Sequence, residues 1–208
     1  MEFRINRWAA LTVAVSLFLA AGCTRQSAVK RFVGWEGPYE GGTYPPVFEK
    51  WTRESRIYRG LDLELLVHAT YQSGDFRTAY VKEYARVYQF NETQTTELQT
   101  EQDERARRFH EFMIAAYVPD KKWDDFNREE SSWKIYLDLG DGTQVPAESI
   151  EKKKPDAKMK HFFPYISPWK SVYRVRFPKA PSMVEEGTIR MGITGVRGRI
   201  EMEWRSAP

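Results

Sequence analysis

The sequence predicts a mainly β protein in which two antiparallel sheets pack as a sandwich, with two helices inserted after the first strand. Three observations support this fold class. Stretches in which apolar and polar residues alternate recur along the chain, as half-buried strands require. Tight-turn sequences such as Gly140-Asp141-Gly142 and Gly195-Val196-Arg197-Gly198 separate several of these stretches. Between about residues 75 and 108, apolar residues instead recur every three to four positions, which is typical of helices.

The folded domain is predicted to begin at residue 47, after a tether that spans residues 23–46. Glycine and proline alternate along the tether, a composition that resists regular structure. A short helix or turn is predicted at residues 47–52, because the preceding Pro45-Pro46 suits a first helical turn. The first strand is predicted at residues 61–71, where apolar and polar residues alternate.

Two helices are predicted to follow that strand. In the first, which starts near Asp75 as a candidate N-cap, aromatic residues recur on one face. The second starts at Asn91, whose side chain and that of Gln94 are spaced to cap each other's backbone. Pairs of opposite charge four residues apart support this second helix.

Six further strands are predicted at residues 112–118, 133–139, 145–150, 169–177, 189–193 and 200–204. The third of these is predicted to be an edge strand, because Pro146 has no amide to donate. Residues 151–160 contain five lysines and are predicted to form a basic polar loop. The strand count predicts an immunoglobulin-like sandwich, although no cysteine lies in the fold to form the antibody disulfide. Residues 47–208 are therefore predicted to be one β-sandwich domain with a helical insertion at about 75–108.

The first 22 residues are predicted to be a signal peptide. Arg4 and Arg7 precede an apolar run at residues 8–21, which ends in small residues. The run is too short for a membrane-spanning helix, which needs about 20 apolar residues. The stretch Ala20-Ala21-Gly22-Cys23 resembles the lipobox of bacterial lipoproteins, which signal peptidase II cleaves before the cysteine. Its usual leucine, three places before the cysteine, is here Ala20.

The lipobox resemblance implies that Cys23 is lipidated and becomes the first mature residue. In that class of protein the cysteine carries a diacylglycerol and usually an amide-linked third chain, for which palmitate is a suitable label. Several acyl chains together hold a protein on a bilayer stably. Cys23 is the only cysteine in the chain, so no disulfide competes for it. The alternative is an ordinary cleaved signal in which Cys23 is incidental.

The residue after the cysteine bears on location. Thr24 stands where the resemblance to inner-membrane lipoproteins would require an aspartate. The predicted location is therefore the periplasmic side of the outer membrane, if the host has two membranes.

Several stretches of the mature chain carry a second resemblance. They are Trp51-Thr52-Arg53, Ala69-Thr70-Tyr71, Ala79-Tyr80 to Tyr84, Ser132-Trp133 to Leu137, and Phe163-Pro164-Tyr165 to Tyr173-Arg174-Val175-Arg176-Phe177. On these stretches, residues 47–205 resemble a group of envelope lipoproteins of unknown activity from environmental bacteria. The resemblance implies a coherent domain and carries no activity with it.

The composition disfavours several classes of function. Charged residues of mixed sign make up 29% of the chain, and loss of residues 1–22 lowers the net charge from +3 to +2, so no nucleic-acid partner is expected. His68, His110 and His161 lack the spacing of metal ligands, so neither a metal site nor a cofactor is expected. No nucleophile-elbow motif occurs, and no catalytic residues are predicted.

Tyr80, Tyr84 and Tyr88 are the candidate contacts for a ligand or partner. Tyrosine rings stack on sugars or clasp a protein, but a helix packed on a sandwich has the same pattern. The leading hypothesis is a lipid-anchored, non-enzymatic envelope protein with an interaction or structural role. The alternative is a binding module for a glycan or another small envelope ligand, which uses these tyrosines or a cleft between helix and sandwich. An envelope hydrolase is the third hypothesis.

Overall fold

The computed structural model describes residues 42–138, 143–179 and 188–205. The predicted signal peptide, Cys23 and most of the tether lie outside these ranges, as does the predicted turn at residues 140–142. The α-helices within them are α1 (Tyr44–Trp51), α2 (Gly74–Tyr88), α3 (Glu92–Arg108) and α4 (Ala157–Phe162), and a short 3-10 helix spans Lys121–Trp123. The strands are β1 (Thr52–Arg59), β2 (Asp62–Tyr71), β3 (Phe109–Tyr117), β4 (Trp133–Asp138), β5 (Gln144–Pro146), β6 (Ser149–Lys153), β7 (Ser171–Pro178), β8 (Thr188–Gly195) and β9 (Gly198–Arg205).

These strands form two antiparallel sheets. The five-stranded sheet has the order β1-β2-β3-β7-β6, and the four-stranded sheet has the order β5-β4-β8-β9. All the paired strands run antiparallel. The prediction of a mainly β, antiparallel, sandwich-like fold is confirmed.

The main core lies between the two sheets. Alternation along each strand turns every second side chain inward, because successive residues of a strand point to opposite faces. Phe112 of β3 meets Trp204 of β9 at 5.1 Å between ring centroids, so rings from both sheets interdigitate. Other inward side chains are fully or almost fully buried, among them Leu65, Val67, Ile114, Val175, Phe177, Met191 and Ile193.

The helices cover the opposite face of the five-stranded sheet. Thr70 and Met113, which are paired neighbours on β2 and β3, both contact the hydroxyl of Tyr165 there. The rings of Tyr44 and Phe162 meet edge to face at 5.8 Å, so α1 and α4 pack together above this sheet. The domain therefore has three layers: helices, the five-stranded sheet and the four-stranded sheet.

The two helices α2 and α3 follow the second strand, not the first as predicted. The reason is β1, a strand that was not predicted. It is an edge strand in which Ile57 is the one buried residue, so it lacks a clear alternation of apolar and polar residues. The spans of α2 and α3 lie close to the predicted 75–108, and α3 has the predicted capping box of Asn91 and Gln94. The N-cap of α2 is Ser73, not Asp75.

The segment from residue 144 to 162 also differs from the prediction. The single return strand predicted at 145–150 is two short strands, β5 and β6, which belong to different sheets. Both are edge strands, in agreement with the placement of Pro146. The predicted basic loop at 151–160 is instead the end of β6 followed by α4, whose N-cap Asp156 accepts a hydrogen bond from the Met159 amide.

The N-terminal helix reaches back into the predicted tether. α1 begins at Tyr44, which is fully buried, and its hydroxyl donates to the Phe162 carbonyl at 2.7 Å. A proline at the start of the helix fits its first turn, where amides have no partner within the helix. Residues 44–46 therefore belong to the folded domain.

Candidate functional site

The concave site that contains two of the candidate tyrosines lies between the helical layer and the outer face of the five-stranded sheet. It is a cleft of about 290 Å³ that we call the helix–sheet cleft. Its wall contains side chains from α2, α3, α4 and strands β3 and β7. They are Tyr80, Tyr84, Leu98, Glu101, Gln102, Arg105, Met113, Asp156, Lys158, Met159, Phe162, Phe163 and Arg174.

The three tyrosines singled out in the sequence do not share one environment. Tyr80 and Tyr84 line the helix–sheet cleft, because residues four apart lie on the same face of a helix. Tyr88, one turn further, does not line the cleft and is 44% exposed. Cys23 lies outside the described residues.

The two cleft tyrosines also pack against α4. The Tyr84 ring lies almost parallel to Phe162 at 5.6 Å, and the Tyr80 ring is 4.6 Å from Phe162. Burial raises the pKa of Tyr80, and the nearby Tyr84 raises it further to a smaller extent. The Tyr80 hydroxyl therefore stays neutral and able to donate a hydrogen bond. These rings therefore both pack against α4 and line the cleft.

A cluster of guanidinium groups surrounds one buried carboxylate beneath the cleft. Glu111 is 1% exposed, and its oxygens lie 2.8 Å from Arg176 Nε, 3.4 Å from Arg105 Nη2 and 3.8 Å from Arg174 Nε. The sheet register makes this cluster, since Glu111 pairs directly with Arg176 across β3 and β7. Met113 pairs with Arg174 one step along the same face.

Arg77 of α2 joins this cluster from the helical layer. It is 1% exposed, and it donates from Nε to the Gln72 carbonyl and from Nη1 to the Gln102 side chain. Its buried Nη2 has no hydrogen-bond partner among the described residues. Burial lowers the pKa of Arg77, and the negative charge of Glu111 opposes that change.

Two arginines line the cleft, and Arg174 has fewer ion-pair partners than Arg105. Its Nε is buried without a hydrogen bond among the described residues, and its contact with Glu111 is an ion pair at 3.8 Å. Burial lowers the pKa of Arg174, and the neighbouring positive charges of Arg105 and Arg176 lower it further. The negative charge of Glu111 acts in the opposite direction. The cleft therefore holds a cation that the domain itself satisfies only partly.

A second polar cluster lies elsewhere on the same sheet face. His68 is stacked on Tyr165 at 5.3 Å, and its Nε2 lies 2.9 Å from Glu54. Lys170 Nζ donates to the Tyr165 carbonyl and lies 3.4 Å from His68 Nδ1. Burial and the charge of Lys170 lower the pKa of His68 to about 4. Thr70 links the cluster to β2 through its bond to the Tyr165 hydroxyl.

The arginine–glutamate cluster was not predicted from the sequence, although part of its signal is present there. Arg174 and Arg176 alternate with apolar residues of β7, which places both on one face. Glu111 is the one acidic residue of a strand that, apart from it and His110, is apolar or aromatic. The pairing of β3 with β7, which brings the opposite charges together, is not readable from either strand alone.

No group of three or more histidine, cysteine, aspartate or glutamate side chains is arranged to hold a metal ion within residues 42–138, 143–179 and 188–205. In the same ranges, no helix combines the length and the apolar character needed to cross a bilayer.

Comparisons with known proteins add no relative. No family model, no curated protein and no solved structure matches the chain.

Proposed function

We propose that the chain is a lipid-anchored protein of the cell envelope, held by lipid on Cys23 to the periplasmic side of the outer membrane where the host has two membranes. The support is the sequence: a basic start, a short apolar run and the lipobox-like Ala20-Ala21-Gly22-Cys23. The absence of any other cysteine in the chain leaves Cys23 as the one thiol to be acylated.

Labelling with palmitate tests the anchor. Wild-type protein is expected to take up the label and to remain with membranes, and Cys23→Ala is expected to lose both properties. Thr24→Ala is the matched control, because it changes the neighbouring residue without removing the thiol. Equal label in wild type and Cys23→Ala would contradict the anchor.

We propose further that the domain is a non-catalytic binding module whose ligand, a glycan or another small envelope molecule, occupies the helix–sheet cleft. The observation that carries this proposal is the combination of two tyrosine rings and the partly satisfied Arg174 in one cleft of about 290 Å³. Ligand pockets usually begin at about 300 Å³ and combine apolar walls with a few polar groups, so the cleft suits a ligand the size of a single sugar or amino-acid residue.

A thermal-shift screen with peptidoglycan fragments and oligosaccharides tests the binding module. At least one ligand is expected to raise the Tm at millimolar concentration, because a ligand that binds only the folded state stabilises it. Tyr80→Leu, which keeps apolar bulk against Phe162, is expected to abolish the shift. Tyr88→Leu is the control that keeps it, since Tyr88 does not line the cleft. A screen without any shift would count against the module.

A second candidate function, interaction with an envelope protein, rests on a different surface. The end of the sandwich formed by the β1–β2 and β8–β9 hairpins exposes Leu61 completely and Val196 to 69%. Arg197 and Arg59 both contact Glu64, so the two hairpin tips lie side by side. Exposed apolar side chains on adjacent hairpin tips provide apolar surface of the kind that protein partners bind.

Site-specific cross-linking separates this candidate from the binding module. A photoreactive residue in place of Leu61 is expected to capture a defined partner in intact cells. The same residue in place of Glu97, which is exposed on α3, is the control. Recovery of the protein only as a solitary species from both positions would contradict the interaction.

We also keep the immunoglobulin-like assignment of the sandwich as a prediction. Two antiparallel sheets with a shared core support it. An experimental structure, compared strand by strand with immunoglobulin domains, is the test.

A further inference from the structure

We propose that the ligand of the helix–sheet cleft carries a carboxylate or a phosphate beside a sugar ring or a ring of similar size. Arg174 and Arg105 hold the anionic oxygens in this assignment, and Tyr80 and Tyr84 contact the ring. The inference rests on the binding function proposed above and adds the chemical class of the ligand.

The first argument is the balance of charge around the cleft. Four guanidinium groups converge there, and Glu111 is the one buried carboxylate among the described groups that pair with them. The other two carboxylates are more exposed: Glu151, which pairs with Arg176, is 40% exposed, and Glu101, which pairs with Arg105, is 62% exposed. A bound anion would complete the neutralisation of cations that the protein has removed from water.

The second argument is the unused hydrogen-bonding capacity of Arg174. A guanidinium has five N–H donors in a planar fork, which matches the two oxygens of a carboxylate or phosphate. The Nε of Arg174 is buried without a hydrogen-bond partner among the described residues, and its contact with Glu111 is long, at 3.8 Å. Buried donors without partners are rare in folded proteins, so an external acceptor is the expected complement.

The third argument concerns the acidic side chains of the cleft itself. Asp156 is engaged as the N-cap of α4, where its carboxylate accepts from the Met159 amide at 2.6 Å. Glu101 lies 3.4 Å from Arg105 and is largely exposed, so an incoming anion can displace it at little cost. Lys158 adds a further cation at the rim, 5.7 Å above the Tyr84 ring. The cleft therefore favours a negative ligand over a positive one.

The fourth argument is the arrangement of apolar surface beside these charges. Tyr80 and Tyr84 stand on α2 one turn apart, while Met113 and Arg174 lie opposite each other on the sheet. A ligand that reaches Arg174 is therefore placed against aromatic side chains. Sugar and other ring-shaped ligands bind well to such walls, because the ring covers the aromatic surface while its substituents hydrogen-bond.

A matched set of sugars tests the inference on the full-length protein in detergent. The three sugars have the same ring. N-acetylglucosamine is neutral, N-acetylmuramic acid carries a carboxylate, and N-acetylglucosamine 6-phosphate carries a phosphate. Calorimetric titration is expected to show one of the two anionic sugars binding about 10- to 100-fold more tightly than the neutral sugar, from the usual strength of a charged hydrogen bond. The comparison between them distinguishes a carboxylate from a phosphate.

Arginine variants place the effect in the cleft. Arg174→Gln is expected to remove the preference for the anionic sugar, and Arg174→Lys to restore it in part, since lysine keeps the charge without the planar fork. Arg190→Gln is the control, because this arginine pairs with Glu203 on β8 and β9, away from the cleft.

The outcomes separate this inference from the proposed function. Neutral and anionic sugars that bind equally tightly to wild type would overturn the anionic class and leave the binding module standing. An anionic preference that survives in Arg174→Gln would overturn the assignment of Arg174. Failure of all three sugars to bind, together with a negative screen of fragments and oligosaccharides, would overturn both proposals.

Discussion

Glu111 is a buried carboxylate whose ionised form is stabilised by neighbouring arginines. Burial alone would raise its pKa, but the charges of Arg105, Arg176, Arg77 and Arg174 outweigh burial and lower it. The carboxylate is therefore ionised in the folded protein and binds three guanidinium groups within 4 Å. A buried carboxylate is tolerated in the interior because these cationic partners surround it.

Removing that charge is expected to destabilise the domain strongly. Glu111→Gln leaves the guanidinium groups near it without their buried counter-charge, and breaking a buried ion pair costs about 3 to 5 kcal/mol. Urea unfolding at neutral pH measures the change in the free energy of unfolding.

Glu101→Gln is the matched control for this change. It removes an exposed partner of Arg105 and is expected to cost less than about 0.5 kcal/mol. Similar losses in the two variants would show that the buried cluster has no special role.

At the scale of elements, regular periodicity made some parts of the chain predictable. β2, α2 and α3 show clear repeats of two or of three to four residues, so their existence was predicted from sequence alone. β1 was missed because an edge strand has little need of an apolar face. α4 was missed because its lysines suggested a loop, whereas its stability comes from Phe162, which packs under Tyr80 and Tyr84.

The candidate site was predictable to a similar, limited extent. The tyrosine spacing on α2 is visible in the sequence, and the rings of Tyr80, Tyr84 and Tyr88 follow one another along the helix, two of them in the cleft. The contribution of Arg174 depends on the register between β3 and β7, which joins residues about sixty positions apart. Sequence periodicity describes one element at a time and contains no information on such a register.

The turn between β8 and β9 gives a prediction at this scale. A Cβ added at Gly195 would overlap the backbone carbonyl of Ser132, and a backbone atom cannot move aside cheaply. Gly195→Ala is therefore expected to lower the free energy of unfolding by about 1 to 3 kcal/mol, the usual cost of overpacking.

Gly74→Ala is the control for this glycine. Nothing lies within 4 Å of a Cβ added there, at the first residue of α2. A small gain of up to about 1 kcal/mol is expected, because alanine reduces the freedom of the unfolded chain. Thermal and urea unfolding of both variants make the measurement; a Gly195→Ala protein as stable as wild type would rule out the steric conflict.

At the scale of the whole molecule, the three-layer architecture buries two charged clusters on one sheet face. The cluster of Glu111 lies under α2 and α3, and that of His68 lies beside Tyr165. Both clusters respond to acid in the same direction. His68 has a pKa lowered to about 4, so the unfolded chain binds a proton at this residue before the folded protein does.

Stability is therefore expected to fall in two steps as the pH decreases. Between about pH 6.5 and pH 4, protonation of His68 in the unfolded state removes on the order of 2 to 3 kcal/mol. Below about pH 4.5, protonation of Glu111 adds to the loss, because its pKa is lowered in the folded state. Urea unfolding across this pH range measures both steps.

The variant His68→Gln isolates the first step. Glutamine keeps a donor toward Glu54 but does not titrate, so the loss between about pH 6.5 and pH 4 is expected to become smaller while the later step remains. An unchanged profile in this variant would contradict the assignment of the first step to His68.

The position of α1 has a mechanical consequence. Within the described ranges, tension applied from the N-terminal side reaches α1 before any strand. A hydrogen bond holds each end of this helix. The Tyr44 hydroxyl donates to the Phe162 carbonyl, and the Trp204 ring nitrogen donates to the Trp51 carbonyl. A pulling force is thus shared between the helical layer and β9 of the far sheet, and the edge strand β1 is shielded from peeling.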